Sequence, residues 1–208
     1  MILGYSAGPG PELLAFIGKT TPAVLFLPTA AKDSQEYAAS AEAEFRALGA
    51  GSFQALYLTR NPAVRTVDDA FAAADVVFFG GGSASLTVKH GDRYGFKERL
   101  RSALTRGVVL GGTSGGAIAL FEGGAGAYNG YKPLPGWGLV PGGMLPHFHI
   151  GEEKGAAPWF AGDTGKVLYG VEDGAALVWD GATVSAIGGV WKLMWDGARV
   201  IPTTVSKP

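Results

Sequence analysis

Ser114 stands in the run Gly112-Thr113-Ser114-Gly115-Gly116, directly after the apolar Val108-Val109-Leu110 and before the small, apolar Ala117-Ile118-Ala119-Leu120. A Gly-x-Ser-x-Gly pattern between a strand signal and a helix signal is that of a nucleophile elbow. The serine occupies a tight turn, its hydroxyl projects above the end of the sheet, and the glycines let backbone approach without Cβ clashes. The start of the following helix brings unpaired N–H groups to the place where an oxyanion would form. The same residues also fit a plain strand-to-helix turn with Ser114 as helix cap. The two readings differ in whether the chain also supplies a base and a group to orient it.

A serine hydroxyl is inert near neutral pH until an adjacent base takes its proton, and histidine suits that task. The chain has three histidines. His90 lies in a polar stretch beside Gly91 and Asp92, and the other two stand in Leu145-Pro146-His147-Phe148-His149-Ile150. The base is therefore expected to be His147 or His149. On a regular strand both would share one face, so spacing does not choose between them. A His-x-His pair with Glu152 or Glu153 is also a candidate metal set, and plain packing is a third reading. Asp173 closes an apolar run in Gly170-Val171-Glu172-Asp173-Gly174, which makes it the best-placed acid to orient an imidazole. Asp180 and Asp196 each precede a glycine and read as turn residues. A second glycine loop, Gly80-Gly81-Gly82, follows Asp75-Val76-Val77-Phe78-Phe79. It has neither the spacing of a dinucleotide fingerprint nor the lysine of a phosphate loop. Its N–H groups are candidates to complete an oxyanion hole with that of Gly115.

These residues need elements to hold them. Strand-length apolar runs at 2–4, 23–27, 52–58, 75–79 and 108–110 alternate with helix signals at 12–17 and 67–74. Further helix stripes are Tyr37, Ala41, Phe45 and Leu48, then Phe96, Leu100, Ala103 and Leu104. Such alternation implies a parallel sheet covered on both faces, with ligands at the carboxyl ends of its strands, where both glycine loops fall. Residues 121–143 are rich in glycine and proline and read as a long irregular loop. After a strand at 167–171, short β runs with Asp-Gly turns follow to residue 205. The expected fold is α/β: a three-layer α/β/α sandwich with a mostly parallel sheet and a C-terminal antiparallel extension, in one domain over 1–208.

Composition narrows the function. A net charge of −1 and a pI near 6.3 give no basic field for nucleic acid or an anionic membrane surface. With no cysteine, disulfides and thiol nucleophiles are excluded. No apolar run approaches the ~18 residues of a membrane span. Met1-Ile2-Leu3-Gly4-Tyr5 does not read as a leader, so a cytoplasmic location is expected.

Five segments taken in order resemble the peptidase E and cyanophycinase family of serine peptidases, which shares a class I glutamine amidotransferase-like sandwich. They are Leu25-Phe26-Leu27-Pro28-Thr29-Ala30, Phe78-Phe79-Gly80-Gly81-Gly82, Gly112-Thr113-Ser114-Gly115-Gly116-Ala117, Leu145-Pro146-His147-Phe148 and Gly170-Val171-Glu172-Asp173-Gly174. The order serine, histidine, acid also departs from that of α/β-hydrolases. The resemblance implies Ser114 as nucleophile, His147 as general base and Asp173 as the residue that orients it. Gly115 with Gly81 or Gly82 would supply oxyanion donors. It further implies hydrolysis of small peptides, no metal, no cofactor, and a homodimer as one candidate assembly. The family usually has Ser-Ala-Gly where this chain has Ser114-Gly115-Gly116. Its aspartyl dipeptidases often have Gly-Gly-Asn where this chain has Gly81-Gly82-Ser83. Two other classes share the elbow: a binding or regulatory module without turnover, and a serine hydrolase or acyltransferase of another substrate class. A fluorophosphonate probe separates out the first, and a dipeptide library the second.

An enzyme that selects aspartate must hold a carboxylate away from water, and each charge-assisted bond in such a pocket contributes about 1.5–3 kcal/mol. Lys132 and Lys154 are the basic residues nearest in sequence to the histidine segment, Arg93 follows the glycine loop, and no lysine or arginine lies within the matching segments. Hydrolysis of Asp-X dipeptides is therefore expected to be weak or absent. With Asp-Leu, Ala-Leu and Leu-Leu compared at equal concentration, kcat/KM for Asp-Leu should not exceed the others by about a hundredfold, some 2.7 kcal/mol. A larger ratio would restore aspartyl specificity.

Overall fold

A computed structural model describes residues 1–207. In the first half of the chain the strands are β1 (Ile2–Tyr5), β2 (Ala23–Leu27), β3 (Ser52–Ala55), β4 (Val76–Phe79) and β5 (Val109–Thr113). The helices between and after them are α1 (Glu12–Ala15), α2 (Gln35–Ala47), α3 (Val64–Ala73), α4 (Ala84–Asp92), α5 (Phe96–Thr105) and α6 (Gly115–Ile118). The second half supplies β6 (Phe121–Gly124), β7 (Leu134–Pro135), β8 (Val140–Pro146), β9 (Val167–Val171) and β10 (Ala176–Trp179). It ends with β11 (Val184–Ile187), β12 (Val190–Trp195) and β13 (Val200–Thr204), with the short α7 (Ala157–Phe160) before β9.

The main sheet has seven strands in the order β11-β10-β1-β5-β4-β2-β3. Neighbours from β1 to β3 in that order are parallel, and β10 and β11 continue it antiparallel. Its central strands are buried on both faces. Val24 and Phe26 of β2 point into one core, Leu25 and Leu27 into the other, and β4 divides Val76 and Phe78 from Val77 and Phe79 in the same way. A strand covered on both sides reads as a continuous apolar run, which is how β2, β4 and β5 announce themselves. Helices α1 and α2 cover one face through Leu13, Leu14, Ala38, Ala41 and Phe45. Helices α3 to α6 cover the other through residues such as Val67, Phe71, Ala84, Leu100 and Ile118.

A second sheet of six strands, β13-β12-β9-β8-β6-β7, completes that second covering layer. Its Phe121, Val140, Met144, Val171 and Val190 join the same core as α3 to α6. Its far side packs Leu145, Phe148, Leu168 and Leu193 with Trp159 and Phe160 of α7. Of the expected antiparallel extension, β10 and β11 do lie on the edge of the main sheet, but β12 and β13 pair with β9 in the second sheet. Residues 121–143, read as irregular, hold β6, β7 and the first part of β8. Their glycines sit where backbone must pass close to bulk: a Cβ on Gly143 would meet the Trp159 ring. No helix among the described residues is long and apolar enough to cross a membrane.

The loops after β1, β2, β4 and β5 gather at the carboxyl edge of the main sheet, and buried Asp33 pins the one after β2. Its carboxylate accepts from Thr29 Oγ1 at 3.0 Å and from both the N–H and Oγ1 of Thr59 at 2.6 Å. The neighbouring Ala30 carbonyl in turn accepts from the Ser83 N–H at 2.9 Å, which fixes the loop after β4. Asp33→Ala leaves these donors without their charged acceptor and should cost about 3 kcal/mol in urea unfolding. A loss under about 0.5 kcal/mol, the range of ordinary surface changes, would deny Asp33 that role.

Candidate active site

Strand β5 enters the turn and α6 leaves it, with Ser114 between them at φ 51° and ψ −121°. This is a costly conformation for a residue with a Cβ, of the kind that persists where surrounding structure enforces it. The enforcement is visible. The Ser114 N–H donates to the Tyr5 carbonyl at 2.9 Å, and the Ser114 carbonyl accepts from Ile118 N–H at 3.1 Å. The flanking glycines lie against backbone. A Cβ on Gly115 would overlap the Gly82 carbonyl, and one on Gly116 would overlap those of Phe79 and Gly80.

His147 follows the last residue of β8, and Asp173 follows β9 by two positions. These parallel neighbours, paired Pro146 to Val171 at their ends, carry the two side chains to one place. His147 does not continue the strand: its φ of 56° turns it out, so the shared-face argument for His147 and His149 does not apply. His147 Nε2 lies 3.2 Å from Ser114 Oγ, and Nδ1 lies 2.7 Å from Asp173 Oδ1. With the proton on Nδ1, as a carboxylate acceptor requires, Nε2 is left with its lone pair towards the serine hydroxyl. His149 makes no hydrogen bond to any of the three among the described residues. His90 sits on the last turn of α4, outside the group. No cluster of three or more metal-ligating side chains, with or without Glu152 and Glu153, occurs among the described residues.

Ser6, the residue after β1, belongs to no sequence motif. It is fully buried under the site. Its Oγ donates to Asp173 Oδ1 at 2.8 Å and accepts the His147 backbone N–H at 2.6 Å. One hydroxyl thus ties the acid to the backbone that carries the imidazole. Its position at the carboxyl edge of a central strand was the only available signal. The bonds from Ser6 and then His147 hold the Asp173 carboxyl below its ordinary value. The folded state therefore favours ionised Asp173. That contribution to stability is present above the ordinary carboxylate range and is lost as pH falls through the lowered value.

The glycine loop after β4 brings Gly81 against Ser114. The Gly81 N–H is engaged, donating to Tyr37 Oη at 2.9 Å. The N–H groups of Gly82 and Gly115 have no partner among the described residues. Ser83 caps α4, its Oγ accepting from Leu86 N–H. Beside Ser114 opens a cavity of about 240 Å³ whose lining includes His147, Gly81, Tyr37, Glu44 and the rings of Phe26, Phe45 and Phe78. Arg93, Lys132 and Lys154 are all exposed and none lines it.

Comparison with known proteins gives a consistent picture. Residues 3–187 match the model of peptidase family S51. An uncharacterized peptidase of Bacillus subtilis (strain 168), YgaJ, is 33% identical over 163 residues, covering 75% of this chain and 68% of its own. The crystal structure of a candidate peptidase E protein from Listeria monocytogenes EGD-e superposes with TM-score 0.68 at 16% identity, over 89% of this chain and 96% of its own. A peptidase from an acI-B1 actinobacterium gives TM-score 0.69 at 17% identity, over 99% and 93%.

Ser6→Ala removes the first of the bonds that hold Asp173 ionised. Its carboxyl pKa, followed by NMR, should rise towards the ordinary carboxylate value while the fold is kept. An unchanged value would show that His147 alone sets it.

Proposed function

The chain belongs to peptidase family S51 and is a serine-type peptidase, and from the arrangement of its site we propose that it cleaves small peptides with Ser114, His147 and Asp173 as a catalytic triad. The observation that carries this is the continuous relay from Ser114 Oγ through His147 to Asp173 Oδ1, with both links at hydrogen-bond distance. Nε2 takes the hydroxyl proton as Ser114 attacks the carbonyl carbon, and the proton then passes to the departing amine. Water, activated by the same nitrogen, releases the acyl group. Asp173 keeps the ring in the tautomer that presents Nε2 and stabilises the imidazolium formed in each step. Ser6 acts as a positioning residue, since its Oγ touches Asp173, the His147 backbone N–H and, at 3.2 Å, Nδ1 of the imidazole, but neither Ser114 Oγ nor Nε2.

The developing oxyanion needs donors fixed before the reaction starts. The N–H of Gly115, at the start of α6, is one candidate. Of the two the loop after β4 offers, Gly82 is the better second, because the Gly81 N–H is already held by Tyr37. Small peptides suit the cavity. At about 240 Å³ it lies below the range of roughly 300–1,000 Å³ usual for drug-sized ligands, room for one side chain.

Ser114→Ala should lower kcat by at least about 10⁴-fold and leave the melting temperature nearly unchanged, because the side chain adds little packing. A fluorophosphonate should label the parent at Ser114 alone. His147→Ala should match that loss, whereas His149→Ala retains most activity. Activity surviving in His147→Ala and lost in His149→Ala would reassign the base. A fold that melts together with activity in Ser114→Ala would return Ser114 to a structural role.

A further inference from the structure

We infer that Glu44 makes the cavity beside Ser114 a receptor for a cationic side chain, so that the enzyme prefers lysine or arginine as the residue whose carbonyl is attacked. The inference rests on the peptidase reading above and names the substrate class for it. Helix α2 lays Tyr37, Ala41 and Phe45 at helical spacing against the sheet, and Glu44 lies beside that stripe in the cavity wall. Its Oε2 faces Gly8 on the opposite wall, 3.7 Å from where a Cβ on that glycine would stand. Glu44 has no ion-pair partner among the described residues, and no lysine or arginine lines the cavity. One cavity wall thus holds Ser114, the unpaired and solvent-exposed carboxylate of Glu44, and Phe26, Phe45 and Phe78.

That layout matches a long cationic side chain. Its methylenes lie on apolar rings while its charge reaches a polar end, as lysine and arginine do elsewhere. The cation also gains from ring faces and from a charge-assisted bond to the carboxylate. The Tyr37 Oη is bonded to Gly81 beside the nucleophile. An aspartyl side chain would meet like charge. Burial, against the opposing bond from the Gly81 N–H and with a smaller push from the Glu44 charge, holds the Tyr37 phenol above its ordinary range.

The test compares Lys-Leu, Arg-Leu, Leu-Leu and Asp-Leu with the parent, Glu44→Gln and Glu44→Lys. In the parent, kcat/KM for Lys-Leu and Arg-Leu should exceed that for Leu-Leu by about tenfold or more. Glu44→Gln should collapse that ratio towards one, and Glu44→Lys should turn the preference to Asp-Leu. Equal rates on Lys-Leu and Leu-Leu in the parent, or a cationic preference that survives Glu44→Gln, would overturn the inference. A second measurement does not need turnover. N-acetyl-lysine methylamide titrated into ¹⁵N-labelled protein should shift the Gly8, Tyr37 and Gly81 amides, and the shifts should be lost in Glu44→Gln. No shift at those amides would also overturn it. Absence of fluorophosphonate labelling at Ser114 would instead count against the peptidase reading beneath it.

Discussion

Backbone crowding at the β5–α6 turn is the constraint on which the rest of the structure depends. Ser114 holds its strained φ and ψ only because three chain segments meet around it without side chains between them. Gly115 lies on the Gly82 carbonyl, Gly116 on the carbonyls of Phe79 and Gly80, and Gly112 on the start of α6. Strain of about 1–3 kcal/mol at such a residue has to be offset by its surroundings. Here the offset comes from the Ser114 bonds to Tyr5 and Ile118 and from the sheet beneath. The departure from Ser-Ala-Gly at position 115 has a packing reason in this molecule. The Gly82 carbonyl occupies the space an alanine methyl would need.

The serine belongs to the main sheet, but its partners do not. His147 and Asp173 leave the ends of β8 and β9 in the second sheet. The relay therefore forms only if the two sheets dock in one register. Gly4 contributes to that docking, since the space a Cβ would take there lies 3.0 Å from Met144 Sδ and 3.1 Å from the Phe121 ring. Ser6 then fastens the seam. It follows β1 of the main sheet and bonds both His147 and Asp173 of the second. A buried hydroxyl with a donor and an acceptor role both filled, as here, fixes orientation as well as stability.

What the sequence disclosed follows from which interactions are local. The doubly buried strands β2, β4 and β5 appear as apolar runs, and the Gly-x-Ser-x-Gly turn carries its own geometry, so both were legible. Of the second sheet, β9, β12 and β13 were legible as β runs, but β6, β7 and β8 were not. β6 contains Phe121-Glu122-Gly123-Gly124 and β8 contains Val140-Pro141-Gly142-Gly143 before Met144, and such residues have poor strand propensity. They form strands because bulky Trp159 and neighbouring backbone need the room, which is a tertiary fact. Helix α4 was hidden for a related reason. Its start follows three glycines and its first signal is the single cap Ser83. Asp173 was legible as the acid that closes an apolar run, and resemblance chose His147 over His149, whereas the contacts of Ser6 and the place of Glu44 in the cavity wall depend on distant parts of the chain and leave no local pattern.

The division of labour between elements also bears on specificity. The three relay residues, Ser114, His147 and Asp173, follow the ends of β5, β8 and β9 and are held by glycine contacts and the Ser6 seam. Glu44 in the wall of the adjoining cavity comes from α2, whose Tyr37 accepts the Gly81 N–H of the loop beside the elbow. On α2, Phe45 and Ala41 must face the sheet, because the core of Phe26 and Phe78 lies there. Position 44 has no such duty: its side chain is exposed and unpaired in the described structure. A charge there can change without disturbing the packing that aligns the nucleophile. The elbow can thus be held constant across a family while the preferred side chain changes, because reaction geometry and substrate charge are carried by helices and strands that are stabilised separately.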